Sequence, residues 1–221
     1  ILAASMIRPC ETELLNCPAL SDVQAAADIL THLGCSVSRE ADVINIDSRG
    51  ICRSDVPDYL MREMRSSVLF LGAILARTGY AELSTPGGCK LGERPIDLHL
   101  MALRRLGAKI TEEGGKLSCR AEKLRGCVIE LPFPSVGATE NTMIAACNAE
   151  GETQIRNAAC EPEILDLQNF LCSMGARISG AGSRTIIISG FSPREHVGHR
   201  VMPDRIVAAT GLCAAAATGG T

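Results

Sequence analysis

One pattern of apolar and polar positions occurs three times along the chain. Each copy has an acidic or proline-marked start, apolar residues at helical spacing, a glycine at the predicted helix end and two short alternating segments. Helical spacing followed by alternation predicts an amphipathic helix and then a pair of antiparallel strands. The glycines, Gly34, Gly107 and Gly175, recur at a nearly constant interval, and each can end its helix in the left-handed conformation.

The second copy shows the pattern most completely. Its helix places four large apolar residues near one face, and the strands that follow turn at Gly114 and Gly115. Those apolar residues are Ile96, Leu100, Leu103 and Leu106. Such a stripe buries one side of a helix against a core and leaves the other side in water.

Two further segments are apolar nearly all round. Residues 61–79 and 137–151 are rich in Ala, Gly and Ser, and each is followed by a predicted strand. Helices of this composition lie inside a fold. The opening ILAASM matches the same position in the first copy, and residues 205–220 resemble the start of a fourth copy.

These patterns predict an α/β fold in which three βαβ-type units close around buried helices. The repeats are placed at approximately residues 1–50, 51–125 and 126–200 of one domain. The chain has no initiating Met and reads as a piece of a longer protein. A doubly wound parallel sheet is the alternative.

The composition limits the classes of partner that the chain is expected to bind. The 221 residues are 46% hydrophobic, carry a net charge of −3, and include no Trp, two Tyr and four Phe. A nucleic-acid binder needs clustered positive charge and often aromatic stacking platforms, so no nucleic-acid partner is expected. The longest apolar run, VLFLGAILA, is about half of a membrane span, so no membrane partner is expected.

Eleven cysteines are present, without a CxxC pair or a histidine at ligand spacing. This spacing argues against a zinc site and against a disulfide framework. We expect most of these cysteines to be small buried hydrophobes in a reducing cytoplasm, with no metal and no cofactor.

The stretch STPGGCKLGERPIDLH, residues 84–99, carries the densest candidate chemistry. Gly87 and Gly88 let backbone approach a ligand closely, and Pro95 suits the first position of a helix whose positive dipole end would lie beside Cys89 and Arg94. Arg94 could grip a phosphate or carboxylate, and positive surroundings favour the thiolate of Cys89. The alternative is a glycine turn, a surface arginine and one more buried cysteine.

Residues 133–140, FPSVGATE, lead into another predicted helix. Ser135, Val136 and Gly137 lie where free backbone N–H groups can hold a diphosphate. The alternative is an ordinary helix cap made by Ser135 or Thr139.

The blocks PGGCKLGERPIDLHL, FPSVGATENTMIAA, EPEILDLQNFL and VMPDRI resemble the UDP-N-acetylglucosamine enolpyruvyl transferase (1-carboxyvinyltransferase) family over essentially the whole chain. The resemblance implies an α/β (α+β) fold, an inverse α/β barrel, with two domains that each contain three βαβαββ repeats with helices inside. This piece would be nearly all of one domain, and residues 201–221 would be a crossover and first helix leading into the second domain. It implies transfer of the enolpyruvyl group of phosphoenolpyruvate to the 3-hydroxyl of UDP-N-acetylglucosamine, with release of phosphate. That reaction is the first committed step of peptidoglycan precursor synthesis and the target of the phosphonate epoxide antibiotic fosfomycin.

The expected partners are then phosphoenolpyruvate, UDP-N-acetylglucosamine and the second domain of the same chain, and the piece alone is expected to be inactive.

Cys89 matches the family's general acid, which protonates the methylene carbon of phosphoenolpyruvate and can form an adduct with it. Arg94 matches an arginine that binds the same substrate. Arg65 matches a further substrate-binding arginine, although without the resemblance it reads as a solvated helix cation. Because a general acid must hold its proton, the protonation of Cys89 should depend on whether the anionic substrate is bound.

The segments that bind the nucleotide-sugar are assigned by the same resemblance. The uridine end is held by Pro95, Ile96, Asp97 and Leu98, and the diphosphate by Ser135, Val136 and Gly137. Some family members have a lysine where this chain has Phe133. Without the resemblance, Asp97 reads as a first-turn acid that favours the helix dipole. Structural or interdomain roles are assigned to Glu161, Glu163, Asp204 and Arg205.

Three other functions remain open. The shikimate-pathway enolpyruvyl transferase uses phosphoenolpyruvate on the same fold, but it lacks a PGGC-type cysteine loop. A non-catalytic paralogue would bind a nucleotide-sugar or a partner protein without needing Cys89 and Arg94. An RNA-processing cyclase built on related repeats would need more basic charge.

Overall fold

A computed structural model describes residues 1–84 and 95–220 of the chain. The strands are β1 (Glu11–Leu15), β2 (Ser36–Glu40), β3 (Val43–Asp47), β4 (Asp55–Val56), β5 (Tyr80–Ser84), β6 (Lys109–Glu113), β7 (Lys116–Arg120), β8 (Val128–Glu130), β9 (Thr153–Arg156), β10 (Ala176–Ser179), β11 (Thr185–Phe191) and β12 (His196–Arg200). The helices are α1 (Ser21–Leu33), α2 (Asp58–Glu63), α3 (Leu69–Thr78), α4 (Asp97–Arg105), α5 (Val136–Ala146), α6 (Pro162–Met174) and α7 (Arg205–Thr218). Short 3₁₀ helices cover Ala4–Met6 and Arg65–Val68.

The strands form three four-stranded sheets of one design. Each sheet has a parallel pair followed by two antiparallel strands, in the orders β12-β1-β3-β2, β4-β5-β7-β6 and β8-β9-β11-β10. The alternating segments that the sequence places after each amphipathic helix are the hairpins that end the sheets. This arrangement confirms the predicted fold of three βαβαββ repeats, and no doubly wound sheet forms within the described ranges.

The first sheet is completed by a strand from the far end of the chain. β12 pairs in parallel with β1, which places Glu11 opposite His196 and Leu15 opposite Arg200. The side-chain amide of Asn16 extends this connection by donating from Nδ2 to the carbonyl of Val201 at 2.8 Å. The ring of three repeats is therefore closed by a contact between segments that are distant along the chain.

Helices α3 and α5 lie inside the ring, as their all-round apolar patterns predict. Phe70, Leu71 and Ile74 of α3 are at most 1% exposed, and eight residues of α5 are buried. The two helices cross closely at Gly72, where an added Cβ would lie 2.1 Å from Oδ1 of Asn141 and 2.8 Å from its backbone oxygen. A side chain at position 72 would therefore force the inner helices apart.

The side-chain amide of Asn148, just after α5, donates hydrogen bonds to carbonyl groups at the ends of two neighbouring elements. Nδ2 of Asn148 donates to the carbonyl of Ile7 at 3.0 Å and to the carbonyl of Ala76 at 2.9 Å. Because the last carbonyls of a helix have no partner within the helix, a buried helix end needs a donor from elsewhere. Asn148 supplies that donor to α3 and to the segment that follows the first 3₁₀ helix.

The three repeated glycines end their helices as predicted. Gly34, Gly107 and Gly175 adopt φ values of 105°, 100° and 111°, in the left-handed region that glycine enters without steric cost. Each turns the chain directly into the hairpin that follows.

The last helix differs from the inner helices that it resembles in sequence. None of the residues of α7 is buried, and Ile206, Val207 and Leu212 are 58%, 65% and 72% exposed. The carboxylate of Asp204 caps its start by accepting the N–H groups of Ile206 and Val207 at 2.8 and 3.1 Å. Among the described residues, no helix is long and apolar enough to cross a bilayer.

The crossing at Gly72 predicts a specific loss of stability. We expect Gly72→Ala to lower the free energy of unfolding by about 2 kcal/mol or more, since overpacking costs about 1–3 kcal/mol and here the new methyl group also displaces a bonded amide. Gly198→Ala is the matched control, because Gly198 is exposed in β12 with open space around the position of a Cβ. Urea denaturation of the full-length protein measures both variants, and an equal effect of the two would contradict the role of the crossing.

Candidate functional site

The predicted site residues fall on two helix starts and on a segment outside the structural description. β5 ends at Ser84 and α4 begins at Asp97. Cys89 and Arg94 lie outside the described residues, and their roles stay predictions. Arg65, Pro95, Ile96, Asp97, Leu98, Ser135, Val136 and Gly137 are described.

The first turn of α4 carries the segment predicted to hold uridine. The N–H of Leu100 donates to the carbonyl of Ile96 at 3.1 Å, so the first helical hydrogen bond starts at Ile96. Pro95 therefore lies before the helix and not at its first position, which corrects the expectation from the sequence. The carboxylate of Asp97 is exposed, whereas Ile96 and Leu98 are half-buried against the edge of the core.

The first turn of α5 carries the segment predicted to hold a diphosphate. Oγ of Ser135 accepts the N–H of Ala138 at 3.3 Å, and Oγ1 of Thr139 donates to the carbonyl of Ser135 at 2.8 Å. Thr139 also accepts the N–H of Ala159 at 3.1 Å. The capping interpretation of Ser135 is therefore correct, and it is compatible with anion binding because a helix start has several N–H groups without helical partners.

A histidine and an asparagine connect the two helix starts. His99 of α4 is 8% exposed and Asn141 of α5 is 1% exposed. Nδ2 of Asn141 lies 3.0 Å from Nδ1 of His99. The imidazole ring also faces Gly137, where an added Cβ would lie 3.1 Å from Cε1 and 3.3 Å from Nε2 of His99. Gly137 thus lets the two first turns approach each other across the ring.

Two more of the predicted site residues, Arg65 and Asp97, lie close enough to His99 to shift its pKa. The pKa of His99 is lowered from 6.5 to about 4, mainly by burial and also by the positive charge of Arg65, while the carboxylate of Asp97 opposes the shift. Arg65 begins the 3₁₀ helix that leads into α3. The fold therefore gathers Arg65, the first turn of α4 and the first turn of α5 around one uncharged imidazole.

Sequence reasoning missed His99 and Asn141. The signal was present, because each is a polar residue within a pattern that is otherwise apolar, and a buried polar group needs a hydrogen-bond partner. The pattern does not show which two polar residues meet, since 42 positions separate them.

The cysteines of the described residues are all free thiols. Burial raises the pKa of Cys35 to about 12 and that of Cys119 to about 11, and it raises the pKa of Cys147 also. These three thiols stay protonated near neutral pH and are poor nucleophiles. Cys52, Cys160 and Cys213 are exposed.

The four residues predicted from the sequence to have structural or interdomain roles lie at the starts of α6 and α7. Nε of Arg205 donates to Oε1 of Glu163 at 2.9 Å, and this contact lowers the pKa of Glu163 although partial burial opposes it. Asp204 caps α7, and Glu161 directly precedes α6. The ion pair of Arg205 with Glu163 connects the start of α7 to the start of α6.

The fold and the two helix starts define a class of protein. The chain belongs to the EPSP synthase (3-phosphoshikimate 1-carboxyvinyltransferase) family, whose sequence profile matches residues 1–221. Membership confirms that the resemblance seen in the motifs extends over the whole chain.

The relatives of this chain carry a more specific name than the family does. The chain is 52% identical over 220 residues to UDP-N-acetylglucosamine 1-carboxyvinyltransferase 2 of Caldanaerobacter subterraneus subsp. tengcongensis, and 46% identical over 220 residues to UDP-N-acetylglucosamine 1-carboxyvinyltransferase of Geotalea uraniireducens. Each match covers 100% of this chain and 53% of the relative. The chain thus spans about half the length of the curated relatives that it matches.

Solved structures with low sequence identity share the fold. The enolpyruvyl transferase NikO of Streptomyces tendae superposes with a TM-score of 0.85 at 23% identity, over 96% of this chain and 51% of that chain. EPSP synthase of Acinetobacter baumannii superposes with a TM-score of 0.70 at 20% identity, over 94% and 49%. These matches confirm the enolpyruvyl transferase-like architecture.

The lowered pKa of His99 predicts a pH dependence of stability. The unfolded histidine gains its proton near pH 6.5 and the folded one only near pH 4. The contribution of His99 to the free energy of unfolding should therefore fall by about 3 kcal/mol as the pH drops from about 6.5 to about 4. Below that range this contribution should not change further.

His99→Gln removes this titration, so the difference between the wild-type and variant stabilities should change across this interval. Taking the difference cancels other groups, such as Glu140, whose pKa is raised mainly by burial and whose contribution has the opposite sign. Urea denaturation of the full-length protein at several pH values measures it. A constant difference would show that the folded histidine titrates normally.

Proposed function

We propose that the protein containing this chain transfers the enolpyruvyl group of phosphoenolpyruvate to the 3-hydroxyl of UDP-N-acetylglucosamine and releases phosphate. The observation that carries the proposal is 52% identity, over the full chain, to a protein named for this reaction. The reaction would place the protein at the first committed step of peptidoglycan synthesis in the cytoplasm, and so in cell-wall biogenesis, cell shape and cell division.

The chemistry is an addition followed by an elimination. Cys89 delivers a proton to the methylene carbon of phosphoenolpyruvate while the 3-hydroxyl oxygen of the sugar attacks the adjacent carbon and loses its own proton to a base. The resulting tetrahedral intermediate then loses a proton from the new methyl group and expels phosphate, which restores the double bond. Arg94 would bind phosphoenolpyruvate and stabilise its negative charge.

The two neighbouring helix starts support the placement of the nucleotide-sugar. Pro95 to Leu98 would hold the uridine end, with the exposed carboxylate of Asp97 as a hydrogen-bond acceptor. Ser135, Val136 and Gly137 would hold the diphosphate at the positive end of the α5 dipole. Phe133 is 65% exposed and uncharged, so Arg65 would supply the positive charge that a lysine gives some family members.

The remaining half of the relatives' length supports a two-domain site. A second domain of the same chain would supply further phosphate-binding arginines and the carboxylate base for the 3-hydroxyl. Residues 1–221 alone would then be inactive, because correct positioning of reacting groups contributes roughly 7–11 kcal/mol to such a reaction.

The family description names one alternative acceptor, 3-phosphoshikimate. Incubation of the full-length protein with phosphoenolpyruvate and either UDP-N-acetylglucosamine or 3-phosphoshikimate distinguishes the two functions. We expect phosphate release only with the nucleotide-sugar. Release only with 3-phosphoshikimate would establish the alternative, and release with neither would indicate a non-catalytic paralogue.

The role of Cys89 predicts selective labelling. In the full-length protein with UDP-N-acetylglucosamine, fosfomycin should modify Cys89 and spare the exposed thiols Cys52, Cys160 and Cys213, because only Cys89 combines a glycine-rich segment with neighbouring cations. Mass spectrometry of the digested protein locates the adduct, and Cys89→Ser should abolish it. Labelling spread over the exposed thiols would contradict the assignment.

A further inference from the structure

The hydrogen bonds of Asn141 fix the orientation of its amide. Oδ1 accepts the N–H of Gly72 at 3.0 Å, and Nδ2 faces the carbonyl of Val68 at 3.2 Å. In a regular helix, the N–H of residue 72 would donate to the carbonyl of residue 68. The amide of Asn141 bridges these two groups, at the point where the 3₁₀ helix changes into α3. A flipped amide would place donor against donor and acceptor against acceptor.

The fixed amide in turn fixes the histidine. An amide nitrogen has two hydrogens and accepts none; one hydrogen of Nδ2 goes to Val68 and the other to Nδ1 of His99. Nδ1 must therefore be the acceptor. An imidazole that accepts at Nδ1 is uncharged and carries its proton on Nε2. The Nε2 side of the ring is the side that faces Gly137.

We propose that His99 is a positioning residue of the enolpyruvyl transferase site, held by Asn141 as the Nε2–H tautomer so that it sets the spacing between the first turns of α4 and α5. The proposal rests on the proposed function, which places the two ends of one nucleotide-sugar on these two turns. Because one ligand spans both turns, a change in their separation weakens its binding. Asn141 also fixes the backbone at Val68, three residues after Arg65, so one amide positions all three segments.

Two substitutions separate the positioning role from a general structural role. His99→Gln removes the acceptor at the Nδ1 position, whereas His99→Asn places its Oδ1 near that position and can still accept from Asn141. The control is His32→Asn. His32 is a partly buried histidine of α1, and its Nε2 lies 3.4 Å from Oδ2 of Asp55. The full-length protein is assayed with saturating phosphoenolpyruvate and varied UDP-N-acetylglucosamine.

We expect His99→Gln to raise the KM for UDP-N-acetylglucosamine roughly tenfold, as for one buried hydrogen bond left unmade, with little change in kcat. His99→Asn should recover most of this loss, and His32→Asn should match the wild type. An unchanged KM in His99→Gln, an equal loss in His99→Asn, or an equal loss in His32→Asn would each overturn the proposal.

The tautomer is tested without activity. Nitrogen-15 NMR of labelled full-length protein should show an unprotonated Nδ1 and a protonated Nε2 at His99. In Asn141→Asp, the carboxylate can only accept, so the proton should appear on Nδ1. Protonated Nδ1 in the wild type would overturn the proposal even if transfer to UDP-N-acetylglucosamine is observed. If the wild type shows the expected tautomer but transfers to no acceptor, the proposed function fails while the interaction of His99 with Asn141 stands.

Discussion

The structure depends on how the inner helices satisfy their polar groups without water. Asn141 lies within α5 and Asn148 lies two residues after its end, and both contact α3. The first bridges the carbonyl of Val68 and the N–H of Gly72 at the start of α3, and the second donates to a carbonyl near its end. An unpaired backbone group in this interior would cost about 1–3 kcal/mol. The two amides therefore fix α3 against α5 in register as well as in distance.

This constraint connects the core to the site. The same amide that bonds α3 also bonds His99, and His99 lies against the first turn of α5. Substrate-binding segments on helix starts are precise only if the helices themselves cannot shift. Here the helix positions are set by a buried polar contact, which has directional requirements that apolar packing lacks.

The sequence predicted the features that depend on local pattern. Amphipathic helices, their glycine ends and the following hairpins are encoded within short windows, so they were correct at Gly34, Gly107 and Gly175. The pairing of β12 with β1 is not local and has no such signal. In the site, motifs indicated Asp97 and Ser135, but the contact of His99 with Asn141 depends on how α4 packs on α5. The start of α4 was misplaced because proline restricts only its own backbone and that of its predecessor, and the first helical hydrogen bond is formed one residue later.

The closure of the first sheet by β12 has a consequence for biosynthesis. Asn16 and Val201, which are hydrogen bonded, lie 185 residues apart. A ribosome that adds about 5–20 residues per second needs roughly 10–40 s to synthesise the intervening chain. During that interval β1 has emerged without its parallel neighbour, whereas all strands of the second sheet are complete much earlier. Of the three repeats in this chain, the first in sequence is thus the last to finish its sheet, and one edge of β1 is open to incorrect partners until residues 196–200 leave the ribosome.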